Sequence, residues 1–303
     1  MQYASIIKEI GRGAKGAKPM TREQAQTLFG QILDGAVPDM ELGAILLCLR
    51  LKGEDFEEMA GFRAALGART NQIITPSGPR CVVLSTYNGA RKQANLMPLV
   101  ATLLVRQNIP VLIQGRHDFE SRVSPFELLA ALNIHAVPTL NEAADQLARR
   151  RLACVPLDLL SPGLDRLLSL RPRLGVRNSG HSLAKLLDPC AGRSVRVVAV
   201  THPPYLDMMQ ALLSAERATA LLMRGTEGEA YASPRRRPRL LGFIDGKPQI
   251  MFEQMHDESG VDAAGSCSVA DNAICIQEML DGKTAVPQPI LDQVAALVTL
   301  ACD

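Results

Sequence analysis

The chain alternates short apolar runs with longer helical segments between residues 81 and 223, and this alternation constrains the fold more than any other feature. Residues 81–84 form an apolar run between turn-forming residues, which is typical of a buried strand. Similar runs occur at residues 111–113, 153–155, 195–200 and 220–223. Strands that alternate with helices predict an α/β fold with a mostly parallel central sheet flanked by helices.

Residues 1–70 predict helices rather than strands. Thr21 and Gln24 have the spacing of a capping box, and Asp55 and Glu58 repeat it. A second helical patch interrupts the α/β part of the chain. We therefore predict a small all-helical domain formed by residues 1–72 with 165–190, and a larger α/β domain formed by residues 73–164 with 191–303.

Composition indicates a folded protein, because 47% of the 303 residues are hydrophobic and 21% are charged. No apolar run reaches the roughly 18 residues that a membrane helix needs. The N-terminal segment lacks the apolar core of a signal peptide. These features predict a cytoplasmic protein without a membrane partner. The cysteines and histidines form no cluster with the spacing of a zinc site, so we expect no metal.

Charge is distributed unevenly, although the net charge is only +2. Residues 149–196 contain ten Lys and Arg against three Asp and Glu, whereas residues 251–303 contain one against nine. Such asymmetry creates a strong local field on a nearly neutral molecule. Charge alone favours two solvated faces of opposite sign that pair with each other or with a partner subunit, and it is also compatible with binding of a polyanion.

The loop after the first predicted strand, residues 85–95, is the expected ligand site, because open α/β sheets bind ligands at the carboxyl ends of their strands. A phosphate-cradling loop needs several glycines, and this loop has only Gly89. It carries Arg91 and Lys92, whose side chains suit the phosphates of a nucleic-acid backbone. Tyr87 suits either stacking on a base or burial in the core.

Several strings in the chain resemble a known family. They are KEIGRG at 8–13, YNGARKQANL at 87–96, GVRNS at 175–179 and GTEGE at 225–229. With the helical start and the segment 110–116, they resemble the anthranilate phosphoribosyltransferase family along nearly the whole chain. They are most similar to its YbiB-like branch of DNA-binding proteins. This resemblance implies the nucleoside phosphorylase/phosphoribosyltransferase type of fold, and a homodimer formed through the helical domain.

The chain departs from the enzymes of this family at three motifs. The glycine-rich loop for phosphoribosyl diphosphate has lost most glycines, only Gly115 survives in the second motif, and the magnesium-binding acidic pair is replaced by Glu227 and Glu229. Losing such contacts costs on the order of 100-fold each in rate. The resemblance therefore implies a vestigial phosphoribosyl site without catalytic residues, lined by Ser85, Thr86, Asn88, Gly89, Gly115, Glu227 and Glu229.

The predicted function is sequence-independent binding of DNA, and by extension RNA, in basic grooves of the homodimer. The candidate binding residues are Arg91, Lys92, Arg116, Arg171, Arg173, Arg177 and Lys185. Arg235, Arg236 and Arg237 form a secondary basic loop between prolines. Arg173 and Arg177 are four residues apart and would share a face if their segment is helical.

Two other functions remain open. The first is an active glycosyltransferase that transfers a pentosyl group from phosphoribosyl diphosphate, with Mg²⁺, to an altered acceptor; its support is likeness of fold. The second is a regulatory dimer that binds another protein through the acidic segment 251–303. On the nucleic-acid hypothesis, we expect no cofactor.

Overall fold

A computed structural model describes residues 3–13, 15–116, 122–190, 192–256 and 268–303. The chain divides into two compact units. One consists of Met1–Asn71 with Leu157–Leu187, and the other of Gln72–Pro156 with Asp188–Asp303. The segment that returns to the helical unit therefore spans residues 157–187, where the sequence predicted 165–190. It starts earlier because a helix begins directly after the third strand, without a connecting loop.

Four helices open the helical unit: α1 (Tyr3–Ile10), α2 (Arg22–Asp34), α3 (Asp39–Lys52) and α4 (Phe56–Gly67). Both predicted capping boxes are present, at Thr21 before α2 and at Asp55 before α4. The α2 and α4 helices pack closely, and the rings of Phe29 and Phe62 stack with their centroids 4.8 Å apart. Each box satisfies helix N–H groups that would otherwise lack partners.

The first half of the α/β unit consists of β1 (Cys81–Thr86), α5 (Met97–Arg106), β2 (Val111–Gly115), α6 (Pro125–Ala131), α7 (Leu140–Arg150) and β3 (Leu152–Pro156). All six residues of β1 are buried, as expected for a central strand covered on both faces. The strand continues to Thr86, two residues beyond its predicted end. Ser85 and Thr86 therefore belong to the sheet and not to the loop.

The chain then returns to the helical unit in four short helices: α8 (Leu157–Leu160), α9 (Pro162–Ser169), α10 (Arg171–Leu174) and α11 (Gly180–Leu183). A 3-10 turn, Ala184–Leu186, follows. The α9 helix packs on α2 at Gly163, where a Cβ atom would lie 2.2 Å from the carbonyl oxygen of Leu33. Arg166 donates a hydrogen bond of 2.7 Å to the same carbonyl, which further joins the two segments of this unit.

The α/β unit is completed by β4 (Ser194–Val200), α12 (Pro203–Ala215), β5 (Ala220–Arg224), β6 (Leu240–Ile244), β7 (Lys247–Phe252), α13 (Val269–Leu280) and α14 (Gln288–Cys302). The seven strands form one sheet in the order β3-β2-β1-β4-β5-β6-β7. The first five strands in this order are parallel, and β6 and β7 are antiparallel. The predicted mostly parallel α/β sheet is confirmed.

The sequence interpretation missed the β6–β7 hairpin. Its turn is Asp245-Gly246, and both residues have positive φ, 49° and 75°. This dipeptide between apolar residues is the signature of a two-residue hairpin turn. No helix in the described ranges is both long and apolar enough to cross a membrane.

Candidate nucleic-acid site and its internal anion

The carboxyl ends of the parallel strands meet at one edge of the sheet, as the strand directions require. Thr86 ends β1 and pairs in register with Gly115, which ends β2. A Cβ atom on Gly115 would lie 1.9 Å from the carbonyl oxygen of Thr86, so only glycine fits at this strand end. The loop from Tyr87 to Leu96 leaves the sheet here and leads into α5. The predicted site residues of both strands therefore lie together.

The side chain of Glu229 is fully buried, and its carboxylate packs against the first residues of this loop. Its Oε1 accepts hydrogen bonds from the backbone N–H groups of Tyr87, Asn88 and Gly89, at 3.3, 2.9 and 3.0 Å. Its Oε2 accepts from the Thr86 hydroxyl at 2.6 Å and from the Asn95 amide at 3.4 Å. Five converging donors form an anion-binding arrangement, and the anion that fills it belongs to the chain itself.

The two residues before Glu229 also contact this loop. The Gly228 carbonyl accepts a hydrogen bond of 2.8 Å from the Asn88 side chain. Oε1 of Glu227 accepts from the backbone N–H groups of Arg91 and Lys92, at 3.3 and 3.0 Å. The turn from Thr226 to Glu229 thus satisfies donors from one end of the loop to the other.

Gly89 and Gly228 allow this close packing. Both have positive φ, 64° and 88°. A Cβ atom on Gly89 would lie 2.9 Å from the carbonyl oxygen of Val123, and one on Gly228 would lie 2.3 Å from the Asn88 amide nitrogen. Glycine is needed at both positions for its backbone conformation and for space.

This arrangement does not fit a bound diphosphate with magnesium. The N–H groups that would contact phosphate oxygens already donate to Glu229, and the carboxylates of Glu227 and Glu229 are occupied as acceptors. No cluster of three or more metal-ligating His, Cys, Asp or Glu side chains occurs among the residues that the structure describes. Binding of phosphoribosyl diphosphate at this loop would first require the carboxylate of Glu229 to leave.

Of the two roles that the sequence allowed for Tyr87, the structure shows burial in the core and not an outward ring available for base stacking. The residue is 4% exposed. Its hydroxyl forms a hydrogen bond with the side chain of Gln114, on the neighbouring strand β2. The ring packs into the α/β unit because its hydroxyl finds a partner there.

Arg91 and Lys92 are exposed, in contrast to the residues before them. Their backbone N–H groups donate to the Glu227 carboxylate, and both residues are exposed to solvent. Arg116 follows β2, is half-buried, and donates a backbone hydrogen bond of 3.3 Å to the Thr86 carbonyl. The structure therefore brings Arg91, Lys92 and Arg116 to the same edge of the sheet.

The other predicted binding residues, Arg171, Arg173, Arg177 and Lys185, lie in the helical unit. Arg173 and Arg177 would share a helix face only if their segment were helical, and it is not, because α10 ends at Leu174 and Gly175 follows with φ 71°. Arg173 is exposed and lies 3.5 Å from the carboxylate of Asp39. Arg171, Arg177 and Lys185 are half-buried.

The secondary basic loop is partly engaged within the α/β unit. Arg237 forms an ion pair with Asp292 and stacks over the ring of Phe252 at 5.2 Å. Arg236 donates a hydrogen bond of 3.0 Å to the carbonyl of Met255. Arg235 is exposed. The Arg237 guanidinium therefore has a structural role in this loop.

Three residues at the site were not predicted from the sequence. Asn95 is fully buried and donates to Glu229. Arg122 donates hydrogen bonds of 3.3 Å to the carbonyls of Asn88 and Gly89. Arg224 is exposed at the carboxyl end of β5. The position of Arg224 is a usable sequence signal, because this residue directly follows the predicted apolar run 220–223. No sequence signal indicates the contacts of Asn95 and Arg122.

Comparison with known proteins identifies the type of fold. A model for the helical bundle domain of the glycosyl transferase family matches residues 4–69. The crystal structure of anthranilate phosphoribosyltransferase from Thermus thermophilus superposes with a TM-score of 0.77 at 20% identity, covering 98% of this chain and 88% of that one. The Saccharomyces cerevisiae enzyme in complex with PRPP and Mg superposes with a TM-score of 0.75 at 15% identity, covering 99% and 88%. The fold is thus that of the anthranilate phosphoribosyltransferases.

Sequence relatives refine this class. The chain is 25% identical to anthranilate phosphoribosyltransferase from Bradyrhizobium sp. (strain BTAi1 / ATCC BAA-1182), over 95% of this chain and 87% of the relative. It is 38% identical to the protein YbiB of Escherichia coli (strain K12), over 97% of this chain and 93% of the relative. The chain belongs to the YbiB-like branch of the anthranilate phosphoribosyltransferase-like family.

Proposed function

We propose that this protein binds nucleic acid without sequence preference, and that it does so in place of phosphoribosyl transfer. One observation carries the proposal: the carboxylate of Glu229 occupies the N–H groups that a diphosphate would need. While Glu229 stays in place, these N–H groups are not available to a small phosphate ligand, whereas Arg91 and Lys92 are exposed beside them. Flexible cations on a surface suit the phosphates of a long polyanion.

Other cations at the same edge of the sheet extend this surface. Arg224 ends β5 in an exposed position, and Arg116 follows β2. Neither residue belongs to a motif that reads base edges, and the described helices contain no recognisable DNA-reading motif. Contacts to phosphates alone give little sequence discrimination. We therefore expect similar affinity for unrelated sequences, and Arg171, Arg173, Arg177, Lys185 and Arg235 are further candidates for contact.

Fluorescence anisotropy with labelled oligonucleotides tests the proposal. Single- and double-stranded DNA and a matched RNA would be titrated at about 50 and about 200 mM salt, a range over which phosphate contacts weaken strongly. Each phosphate neutralised on B-DNA contributes about 0.9 to the slope of log affinity against log salt. We expect binding at low salt that weakens steeply with added salt and varies little between sequences. Absence of binding to all three probes at low salt would contradict the proposal.

We also propose a homodimer that forms through α3. Met40 and Leu51 are 80% and 82% exposed, and Leu47 is 41% exposed. Leu47 lies seven positions after Met40 and four before Leu51, so the three residues share one face of the helix. Large apolar side chains exposed along one face mark an interaction surface. A second copy of the chain is the occupant that the family resemblance implies.

Sedimentation analysis tests the dimer. Leu47→Lys with Leu51→Lys is expected to convert dimers to monomers, because two charges would be buried in the interface. Ile274→Lys, at an exposed apolar residue of α13, is the matched control and should leave the dimer intact. A wild-type protein that is monomeric at micromolar concentration would exclude this interface.

Phosphoribosyl transfer is the second candidate, favoured by 25% identity to an enzyme over 95% of the chain. It requires Glu229 to leave the loop so that the donor and Mg²⁺ can bind there. Incubation with phosphoribosyl diphosphate, magnesium and a panel of aromatic acceptors tests it. Saturable release of diphosphate would favour this function over nucleic-acid binding.

A further inference from the structure

Glu227 is the one residue of the Thr226–Glu229 turn whose described side-chain contacts lie at the exposed residues of the loop, Arg91 and Lys92. Its Oε1 accepts hydrogen bonds from two consecutive N–H groups, those of Arg91 and Lys92. One acceptor shared by adjacent N–H groups fixes the backbone conformation of both residues. The directions in which the two side chains leave the backbone are then fixed as well.

The backbone of Glu227 is in an unfavourable conformation. Its φ is 51°, in the left-handed region that residues other than glycine and asparagine rarely adopt. Such a conformation is strained and persists only where surrounding contacts impose it. Here the turn is closed by the N–H of Glu229, which donates to the Thr226 carbonyl at 2.9 Å, and by the N–H of Thr226, which donates to the Tyr231 carbonyl at 3.1 Å.

A negative charge at Glu227 is unexpected beside residues that are proposed to bind nucleic acid. A carboxylate beside cations that contact phosphate repels the same phosphates, and it weakens their attraction to the protein. Its presence therefore needs a compensating role. The two hydrogen bonds to the loop provide one, because they order the segment that carries the cations before nucleic acid binds.

We propose that Glu227 is a positioning residue that holds the Arg91-Lys92 pair in a conformation ready to contact nucleic acid. This inference rests on the proposed function. Ordering two long side chains and their backbone at the moment of binding costs affinity, and a loop already ordered avoids part of that cost. The contribution of Glu227 comes from its acceptor oxygen and not from its charge.

Three substitutions separate positioning from electrostatics. Glu227→Gln removes the charge but keeps a side-chain oxygen of the same reach. Glu227→Ala removes both. Glu227→Asn also removes the charge, suits the left-handed backbone, and is one methylene too short to reach the loop. Electrostatics alone predicts that all three variants bind oligonucleotide more tightly than the wild type, and to the same extent.

The positioning role predicts a split among the variants in anisotropy titrations with a single-stranded oligonucleotide. The Gln variant should bind as tightly as the wild type or more tightly, whereas the Ala and Asn variants should bind about fivefold more weakly than the Gln variant. Glu278→Ala, at an exposed position of α13, removes the same charge elsewhere in the α/β unit and should match the wild type. Equal affinity of the Gln, Ala and Asn variants would overturn the inference.

Amide hydrogen exchange gives a second readout that does not depend on nucleic acid. The N–H groups of Arg91 and Lys92 should be protected in the wild type and the Gln variant, and should exchange faster in the Ala and Asn variants. Unchanged protection in the Ala and Asn variants would overturn the inference even if affinity fell. A wild-type protein that binds no oligonucleotide would overturn the proposed function, and this role with it. A wild-type protein that binds, with no split among the variants, would overturn the positioning role alone.

Discussion

Two neighbouring segments of the loop between β1 and α5, a buried half at residues 87–89 and an exposed half at residues 91–92, differ in how they present groups to an anion. In the buried half, the N–H groups of Tyr87, Asn88 and Gly89 converge on Glu229. In the exposed half, Arg91 and Lys92 are accessible to solvent and carry positively charged side chains. The buried half has the donors for a small anion but is already filled, whereas the exposed half can contact a large one. On the proposed function, a phosphoribosyltransferase-like fold has lost its diphosphate site and kept an anion-binding surface beside it.

Glu229→Ala should have the largest effect on stability, because it removes the carboxylate that the buried half of the loop surrounds. Three backbone N–H groups, the Thr86 hydroxyl and the Asn95 amide would lose their acceptor. Each buried donor left without a partner costs about 1–3 kcal/mol, and partial relaxation limits the sum. We expect unfolding in urea to show a loss of about 3–5 kcal/mol.

Glu229→Gln is the matched control for this loss, since it keeps one acceptor oxygen for the N–H groups and should cost clearly less. A loss below about 1 kcal/mol for Glu229→Ala would show that the buried half does not depend on this carboxylate.

Arg91→Ala with Lys92→Ala tests the exposed half. Removing two phosphate contacts should weaken oligonucleotide binding roughly tenfold at low salt and flatten the salt dependence. The effect should be the same for unrelated sequences, because phosphate contacts carry no sequence information. Anisotropy titrations at several salt concentrations measure both quantities.

Arg149→Ala with Arg150→Ala is the matched control. It removes the same charge at the end of α7, which precedes β3 and therefore lies toward the amino ends of the parallel strands. Equal loss of affinity in the two double variants would show that binding follows net charge and not the loop.

Tyr87→Phe should have the smallest effect. It tests whether Tyr87 belongs to the buried half of the loop or contacts nucleic acid. The hydroxyl forms a hydrogen bond with Gln114, and its removal should lower the free energy of unfolding by about 1 kcal/mol. Oligonucleotide affinity should stay unchanged, because the ring is buried. An affinity loss without a stability loss would place Tyr87 in contact with nucleic acid.

The sheet and most helices could be predicted from the sequence because those elements carry local signals. The capping boxes at Thr21 and Asp55 and the apolar strand runs depend on residues within a few positions of one another. The β6–β7 hairpin also carries a local signal, Asp245-Gly246. The end of α10 carries one too, because Gly175 lies between Arg173 and Arg177 and stops the helix.

The state of the candidate site could not be predicted in the same way. Comparison with the family marked Glu227 and Glu229 as remnants of a metal-binding pair. In the structure, Glu227 accepts from Lys92, which lies 135 residues earlier in the chain, and Glu229 accepts from Thr86, which lies 143 residues earlier. No local pattern shows that a carboxylate will fill a distant loop, and the burial of Tyr87 depends equally on Gln114, which lies 27 residues away. Contacts of this kind follow from the packed fold.

A competition titration tests most directly the claim that the loop has exchanged a small anion for a large one. A labelled single-stranded oligonucleotide would be bound to the wild-type protein at low salt, and phosphoribosyl diphosphate with magnesium would be added at constant ionic strength. With Glu229 in place, the oligonucleotide should stay bound at millimolar donor, no more affected than by an inert salt. Saturable displacement at micromolar donor would show that the buried half of the loop is open to diphosphate, and would contradict the account.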